Sequence, residues 1–292
     1  MLTKILAGVD GSPGSRDAAA LAAALGSAMG ATVELVGVYH DPRVHRPGRH
    51  HPDPQAAGAL EAVVGAIRDD LAPAATVRVL ADHAPARGLQ RAAEDDGASL
   101  LVLGSSEGGE TGCVRAGRVA KQAIRSAPCP VLVVARDAAP VLRRVVAGLD
   151  GSAESQLALA AARELAGATD AELRVVAVVD DRFPVSHVPG GVVIDLADWE
   201  RIVEADRAHT QAMLERLVPE AEGVERELRE GDPTDGLVTA AIGADLLVVG
   251  SRRWGRLSRV VLGSTSEDLV ALSPCSVLVV PRPDTEPDVS SP

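Results

Sequence analysis

The chain has 292 residues, of which 46% are hydrophobic and 24% charged, so it is long enough for two globular domains and is not disordered as a whole. No apolar run reaches the roughly 18 residues that a membrane helix needs, and the N-terminal sequence does not match a signal peptide, so we expect a cytoplasmic protein. A net charge of -12 and 1% aromatic residues argue against nucleic acid as a partner, because such binding uses cations and stacking side chains.

An internal repeat divides the chain into two halves of about 140 residues. Three segments recur in the same order: ILAGVDGSPGS (5–15) as VVAGLDGSAES (145–155), LLVLGS (100–105) as LLVVGS (246–251), and APCPVLVV (127–134) as SPCSVLVV (273–280). We expect a first domain over residues 1–138, a second over 143–284, and a flexible tail rich in proline and acid over 285–292.

Each half predicts strands that alternate with helices. The predicted order in the first half is strand KILAGVD, a helix to about Met29, strand TVELVGVY, helix Ala57–Leu71, strand TVRVLA, helix Pro85–Glu94, strand SLLVLGS, helix Gly117–Arg125 and strand PVLVVA. Ser12 or Ser15 is expected to cap the first helix. The second half repeats this order, with a longer middle helix at about Leu196–Leu217. The strands are apolar without clean alternation, which is typical of parallel strands covered on both faces, so we predict an α/β fold with two repeated open sheets.

Aspartates and glycines stand at the predicted carboxyl ends of the strands, where open parallel sheets bind ligands. Asp10 and Asp150 end the first strand of each half, and Gly104 and Gly250 end the fourth. Further glycines follow with one recurring spacing: Gly104-x4-Gly109-x7-Gly117 and Gly250-x4-Gly255-x7-Gly263-Ser264. Glycines so placed let backbone N–H groups approach a phosphate, but the same spacing also fits glycines that only turn the chain. No P-loop or G-x-G-x-x-G dinucleotide motif is present.

Four motifs resemble the universal stress protein family: V-D-G-S at the first turn, V-G-S-R after the fourth strand, L-G-S-T-S-E at 262–267, and the final S-P-C-S-V-L-V-V. The resemblance covers nearly the whole chain as a tandem pair. It implies a Rossmann-like, five-stranded parallel sheet of order 3-2-1-4-5 in each half. In the nucleotide-binding branch of the family it also implies ATP, with or without Mg²⁺, on a G-x2-G-x9-G-[ST] loop.

The resemblance assigns roles to residues of both halves. In the second half, Asp150 would face the adenine and ribose, and the Val178 backbone would meet the adenine edge. The phosphates would be held by four residues: Gly250, Gly263, Ser264 and Thr265. The first-half counterparts are Asp10, Val38, Gly104 and Gly117.

Both halves depart from the family loop. Arg253 stands where the second glycine belongs in the second half, and Gly255 lies two residues later. In the first half Glu107 takes that place, Gly109 lies two residues later, and Arg118 replaces the Ser or Thr. Four arginines of the second-half loop could offset phosphate charge: Arg252, Arg253, Arg256 and Arg259. We therefore predict that the second half is the stronger nucleotide site.

Histidines and cysteines are weaker candidates for metal-binding or catalytic residues. His40, His45, His50 and His51 follow the second strand, but their spacing fits no closed metal site, so we predict a solvated loop and no bound metal. Cys129 and Cys275 precede the last strand of each half and are expected to be buried thiols. Cys113 lies in a polar loop and could be exposed. No Ser-His or Cys-His catalytic pattern is present, so we assign no catalytic residue.

Two classes of function fit these observations. The first is an ATP-binding stress-response module whose nucleotide occupancy controls an unidentified regulatory protein partner; the second is a nucleotide-independent scaffold of the same fold. A slow ATPase ranks third, because no general base is evident. Following the family, the last strands of the two halves should pair antiparallel as an intrachain pseudo-dimer, which protects both sheet edges. The sequence does not decide whether whole chains form a homodimer, since no sequence feature marks an interface.

Overall fold

The computed structural model describes residues 2–41, 53–106, 111–182, 196–251 and 264–281. The predicted alternation of strands and helices is confirmed in both halves. The first half consists of β1 (Lys4–Gly8), α1 (Pro13–Met29), β2 (Thr32–His40), α2 (Pro54–Leu71), β3 (Thr76–Asp82), α3 (Pro85–Asp95), β4 (Leu100–Gly104), α4 (Arg118–Ser126) and β5 (Val131–Val134). The helix α2 begins three residues before its predicted start, because Asp53 caps it and Pro54 fits its first turn.

The second half repeats this order. It consists of β6 (Arg144–Gly148), α5 (Ala153–Thr169), β7 (Glu172–Val179), α6 (Leu196–Leu217), a 3-10 turn (Glu220–Glu222), β8 (Glu225–Glu230), α7 (Pro233–Ala240), β9 (Leu246–Ser251), α8 (Ser264–Leu272) and β10 (Ser276–Pro281). The helix α6 has 22 residues against 18 in α2, as the longer middle segment predicted.

All ten strands form one continuous sheet of order β3-β2-β1-β4-β5-β10-β9-β6-β7-β8. Each half contributes the order 3-2-1-4-5, so that part of the prediction is confirmed. The two predicted five-stranded sheets are joined into one by β5 and β10. These two strands run antiparallel with Val133 opposite Val277 and Val131 opposite Val279, whereas the other neighbours are parallel. The predicted pairing of the last strands is therefore confirmed.

The hydrophobic core lies on both faces of this sheet. Successive strand residues point to opposite faces, so Leu132 joins one cluster and Val133 the other. Each cluster contains side chains from both halves; Leu132 and Leu278, for example, are at most 2% exposed and share one cluster. The two halves therefore bury a common core across the β5–β10 junction.

Cys129 and Cys275 are buried before β5 and β10, as predicted, whereas Cys113 is partly exposed. Burial raises the pKa of the Cys129 thiol to about 12 and that of Cys275 to about 11, so neither is a reactive thiolate at neutral pH. Both cysteines fill core positions.

We expect a soluble thiol reagent to label one cysteine per folded chain, Cys113, and the other two only after unfolding. Labelling followed by peptide mapping, with and without urea, measures this. A Cys113→Ser variant that still reacts at the native rate would contradict the burial of Cys129 and Cys275.

Glycine is required where β4 and β9 meet the first helix of their halves. A Cβ atom at position 104 would lie 2.0 Å from the carbonyl oxygen of Gly14, and one at position 250 would lie 2.7 Å from that of Glu154. Backbone atoms cannot yield to such contacts without moving a helix. Gly104 and Gly250 thus have a packing role, whatever they contact in a ligand.

We expect Gly104→Ala to lower the free energy of unfolding by about 1–3 kcal/mol, because the added methyl group overpacks a backbone contact. Gly65→Ala is the matched control, because position 65 lies inside α2 with nothing within 4 Å of a new Cβ. This variant should raise the free energy of unfolding by about 0.4–1 kcal/mol. Urea unfolding of both variants measures the difference. If both variants changed the free energy of unfolding equally, the backbone contact at Gly104 would not be rigid.

Candidate functional site

The turn after β6 holds Asp150 in a fixed position. Its Oδ1 accepts hydrogen bonds from the Ser152 backbone N–H at 3.0 Å and from Ser152 Oγ at 2.5 Å. Gly151 between them has φ 80°, a left-handed conformation that favours glycine. Ser152 also caps α5, because its hydroxyl accepts the N–H of Ser155 at 3.2 Å. One carboxylate oxygen of Asp150 is therefore used by the turn itself.

The turn after β1 has the same construction. Asp10 Oδ1 accepts from the Ser12 N–H at 3.0 Å and from Ser12 Oγ at 2.6 Å, and Gly11 has φ 91°. Ser12, one of the two predicted candidates, caps α1. Burial raises the pKa of Asp10, but hydrogen bonds from Ser12 and Ser15 outweigh it, and the net pKa lies below its usual value. Asp10 is therefore ionised at neutral pH.

A cleft of about 680 Å³ opens at the carboxyl ends of β6, β7, β8 and β9. It includes the point between β6 and β9 where the strand order of the second half reverses. Three residues predicted from the sequence line it together: Asp150, Val178 and Gly250. Helices supply further lining residues: Glu154 from α5, Asp206, Thr210 and Met213 from α6, Thr234 and Leu237 from α7, and Asp268 and Leu269 from α8.

The two halves differ in how the middle helix covers the first turn. In the first half, a Cβ atom at position 11 would lie 2.8 Å from Val63 Cγ1 of α2. In the second half, a Cβ at position 151 would lie 3.4 Å from Met213 Sδ of α6, which is an ordinary contact distance. The Val63 side chain therefore lies closer to the turn after β1 than the Met213 side chain lies to the turn after β6.

A charged cluster that the sequence analysis did not identify lies at the ends of β7 and β8. Arg182 donates to Asp180 through Nε at 2.8 Å and Nη2 at 2.6 Å, and it also pairs with Asp232. Asp232 caps α7 by accepting the N–H groups of Thr234 at 2.7 Å and Asp235 at 3.1 Å. The hydrogen bond from Arg182 lowers the pKa of Asp180 below its usual value. The Asp-Pro pair after β8 is the sequence feature from which this helix cap could have been predicted.

The predicted base-binding positions lie on the second strand of each half. Val178 packs against α7, where a Cβ at Gly236 would lie 2.9 Å from Val178 Cγ2. Val38 takes the same position in the first half, 2.8 Å from a Cβ at Gly88 of α3. The repeat therefore places both valines equivalently, and Val178 lines the cleft.

The predicted phosphate residues are only partly within the described ranges. Gly117 is the N-cap of α4 and has no side chain to cap it, and Ser264 and Thr265 begin α8. Residues Gly109, Arg253, Gly255 and Gly263 lie outside the described residues.

The segment before α4 connects the two halves. Ser105 Oγ accepts the Arg115 N–H at 2.8 Å, which folds this segment back onto the end of β4. Next to it, the Ala116 N–H donates to the Val270 carbonyl at 2.9 Å, and the Val114 N–H to that of Ser273 at 2.9 Å. The first-half segment is thus tied to the end of α8.

The described ranges bear on two further classes of function. No helix there is both long and apolar enough to cross a membrane. No group of three or more His, Cys, Asp or Glu side chains among those residues could hold a metal ion, and His45, His50 and His51 lie outside them.

The fold and the cleft define a doubly wound α/β protein built from two copies of one domain. The model of the universal stress protein family matches residues 1–135 and again 142–281, so the chain belongs to that family as a tandem member. A universal stress protein of Thermus aquaticus is 33% identical over 142 residues, which is 48% of this chain and 99% of that protein. A Mycobacterium tuberculosis universal stress protein is 28% identical over 225 residues, 76% of this chain and 70% of its own length.

Solved structures agree with this fold over nearly the whole chain. A universal stress protein from Archaeoglobus fulgidus has a TM-score of 0.65 at 19% identity, covering 96% of this chain and 98% of its own. A functionally unknown protein from Pseudomonas aeruginosa has a TM-score of 0.68 at 16% identity, covering 97% and 94%. At these identities the likeness describes the fold alone.

We expect Asp232→Ala to lower the free energy of unfolding by about 1 kcal/mol, because α7 loses its N-cap. Asp232→Asn keeps a capping oxygen and loses only the charge beside Arg182, so it should lose less. Urea unfolding compares the two variants. An equal loss in both variants would mean that the ion pair, and not the cap, is the stabilising contact.

Proposed function

We propose that the second-half cleft binds an adenine nucleotide and that the protein is a nucleotide-dependent regulatory module of the stress response. The observation that carries this proposal is the cleft of about 680 Å³ at the strand-order reversal, with Asp150 and Gly250 on its two sides. Open α/β sheets bind ligands at this place, and the volume suits a small molecule of nucleotide size.

The proposed roles in the second half follow the resemblance to the family. Asp150 Oδ1 stays hydrogen-bonded within the turn, and the same carboxylate also contacts the ribose or adenine. The Val178 backbone contacts the adenine edge. The start of α8 at Ser264 and Thr265 supplies backbone N–H groups and a positive dipole for a phosphate. Arg253, Gly255 and Gly263 complete the phosphate loop in this proposal, with Mg²⁺ as a companion of ATP.

The second half is the preferred site in this proposal. Val63 of α2 lies closer to the Gly11 turn than Met213 of α6 lies to the Gly151 turn, which favours the second half in this proposal. Arg118 begins α4 where Ser264 begins α8, and Glu107 is a carboxylate in the loop before it. Asp10, Val38, Gly104, Gly109 and Gly117 form the weaker site.

The alternative is a scaffold of the same fold that acts without nucleotide. In either case the protein would act on a regulatory protein partner in the cytoplasm, so the presence or absence of bound nucleotide distinguishes the two functions. A denatured sample of purified protein that releases adenine nucleotide, seen by ultraviolet absorbance and chromatography, supports the first. A slow ATPase ranks below both, because the sequence offers no evident general base.

We expect Asp150→Ala to weaken ATP binding by about tenfold or more, because a charged hydrogen bond contributes about 1.5–3 kcal/mol. Asp10→Ala is the matched control: it removes the same turn hydrogen bonds from the first half but should change affinity less than about twofold. Calorimetric titration with ATP and Mg²⁺ measures both. Equal losses would contradict the preference for the second half, and a parent protein that binds no adenine nucleotide would contradict the function.

A further inference from the structure

The end of α8 lacks one of its usual hydrogen-bond donors. The Ser273 N–H donates to the Leu269 carbonyl, four residues back, at 2.9 Å. The next carbonyl is that of Val270, and its donor would be the N–H of residue 274, but Pro274 has none. Because Val270 is 0% exposed, water cannot supply the missing donor, and a buried carbonyl needs one. The end of α8 therefore depends on a donor from elsewhere in the protein.

The first half supplies this donor. The Ala116 N–H donates to the Val270 carbonyl at 2.9 Å. Two residues earlier, the Val114 N–H donates to the Ser273 carbonyl, also at 2.9 Å. Both donating residues are at most 6% exposed, and they belong to the same core cluster as Leu269 and Val270. Backbone and side chains of the first half therefore fix the end of a second-half helix.

The donating segment, residues 111–117, is itself attached to the sheet of the first half. The Arg115 N–H, between the two donors, donates to Ser105 Oγ at 2.8 Å, and Ser105 directly follows β4. The Gly112 N–H donates to the Arg136 carbonyl at 2.8 Å, two residues after β5. Through this segment, the end of α8 is connected to the ends of two first-half strands.

This connection bears on the other end of the same helix. The helix α8 has nine residues, is about 13 Å long, and begins at Ser264, where the proposed function places a phosphate. A helix whose far end is fixed keeps its first N–H groups in position, so a phosphate does not have to order them when it binds. We propose that the 111–117 segment of the first half is a positioning element for the phosphates of a nucleotide bound in the second-half cleft. This inference rests on the proposed function, and it makes the second-half site dependent on the first half.

The adenosine part of the ligand provides an internal reference. In the proposed function it contacts Asp150 and Val178, neither of which belongs to α8. The turn after β6 holds Asp150, and Val178 lies within β7, paired to β8. Loosening the 111–117 segment should therefore weaken the binding of ATP but not of adenosine. A general loss of stability would affect both ligands alike.

The variant Ser105→Ala loosens the segment without changing the second half, because it removes the acceptor of the Arg115 N–H. Ser99→Ala is the matched control: Ser99 Oγ also accepts backbone N–H groups, from Thr3 at 2.9 Å and Lys4 at 3.0 Å, but it lies before β4, at the opposite end of that strand. Calorimetric titration with ATP in Mg²⁺ and with adenosine measures both variants. Ser105→Ala should weaken ATP binding by about threefold or more and leave adenosine binding unchanged, and Ser99→Ala should change neither. Equal losses for ATP and adenosine, or equal losses of ATP binding in the two variants, overturn the inference.

Hydrogen exchange of the unliganded protein tests the same connection without nucleotide. Ser105→Ala should speed up amide exchange in α8 relative to the parent protein, and Ser99→Ala should not. Unchanged exchange in α8 of the Ser105 variant would mean that the segment does not hold this helix, and it would overturn the inference. If the parent protein binds no adenine ligand, the proposed function fails and the phosphate role with it, while the exchange result still decides whether the first half fixes α8.

Discussion

The structure depends on the antiparallel pairing of β5 with β10. Either strand alone would be an apolar edge with unpaired backbone groups, and such edges promote aggregation. Their pairing converts two five-stranded sheets into one, and the Ala135 N–H adds a buried hydrogen bond to Ser276 Oγ at 3.1 Å. Because both core clusters cross this junction, the halves stabilise each other. The outer edges are then β3 and β8, and β8 carries the charged sequence ERELRE, which disfavours further pairing.

Within this shared scaffold, the side chain that the middle helix places near the first turn differs between the halves. The β-strand ends and the Asp-Gly-Ser turns are nearly identical in geometry, so they provide two equivalent platforms. The helix α2 covers its platform with Val63, whereas α6 presents Asp206, Thr210 and Met213 to an open cleft. Among the described residues, the sheet and the turns are therefore alike in the two halves, and the side chains over the turns differ.

The fold was largely predictable from the sequence, whereas the site was predictable only in part. Strand order, strand alternation and the β5–β10 pairing follow from apolar patterns, the repeat and the family resemblance. Asp150 and Gly250 could be placed because each ends a strand. The cluster around Arg182 could not, because it joins residues some fifty positions apart on neighbouring strands, which no local pattern reports. The closeness of Val63 to Gly11 also depends on how a whole helix sits on the sheet.

Repetition within the chain separates structural demands from functional ones. The Asp-Gly-Ser turn occurs in both halves, and in both it caps a helix and closes a turn. Its presence at Asp10 is therefore explained by folding, and it is not by itself evidence of a ligand. Asp232 also has a folding role, because it caps α7, whereas Ala84 at the start of α3 provides no side-chain cap. A residue that recurs in both halves, or that caps a helix in one of them, is therefore explained by the fold before it is explained by a ligand.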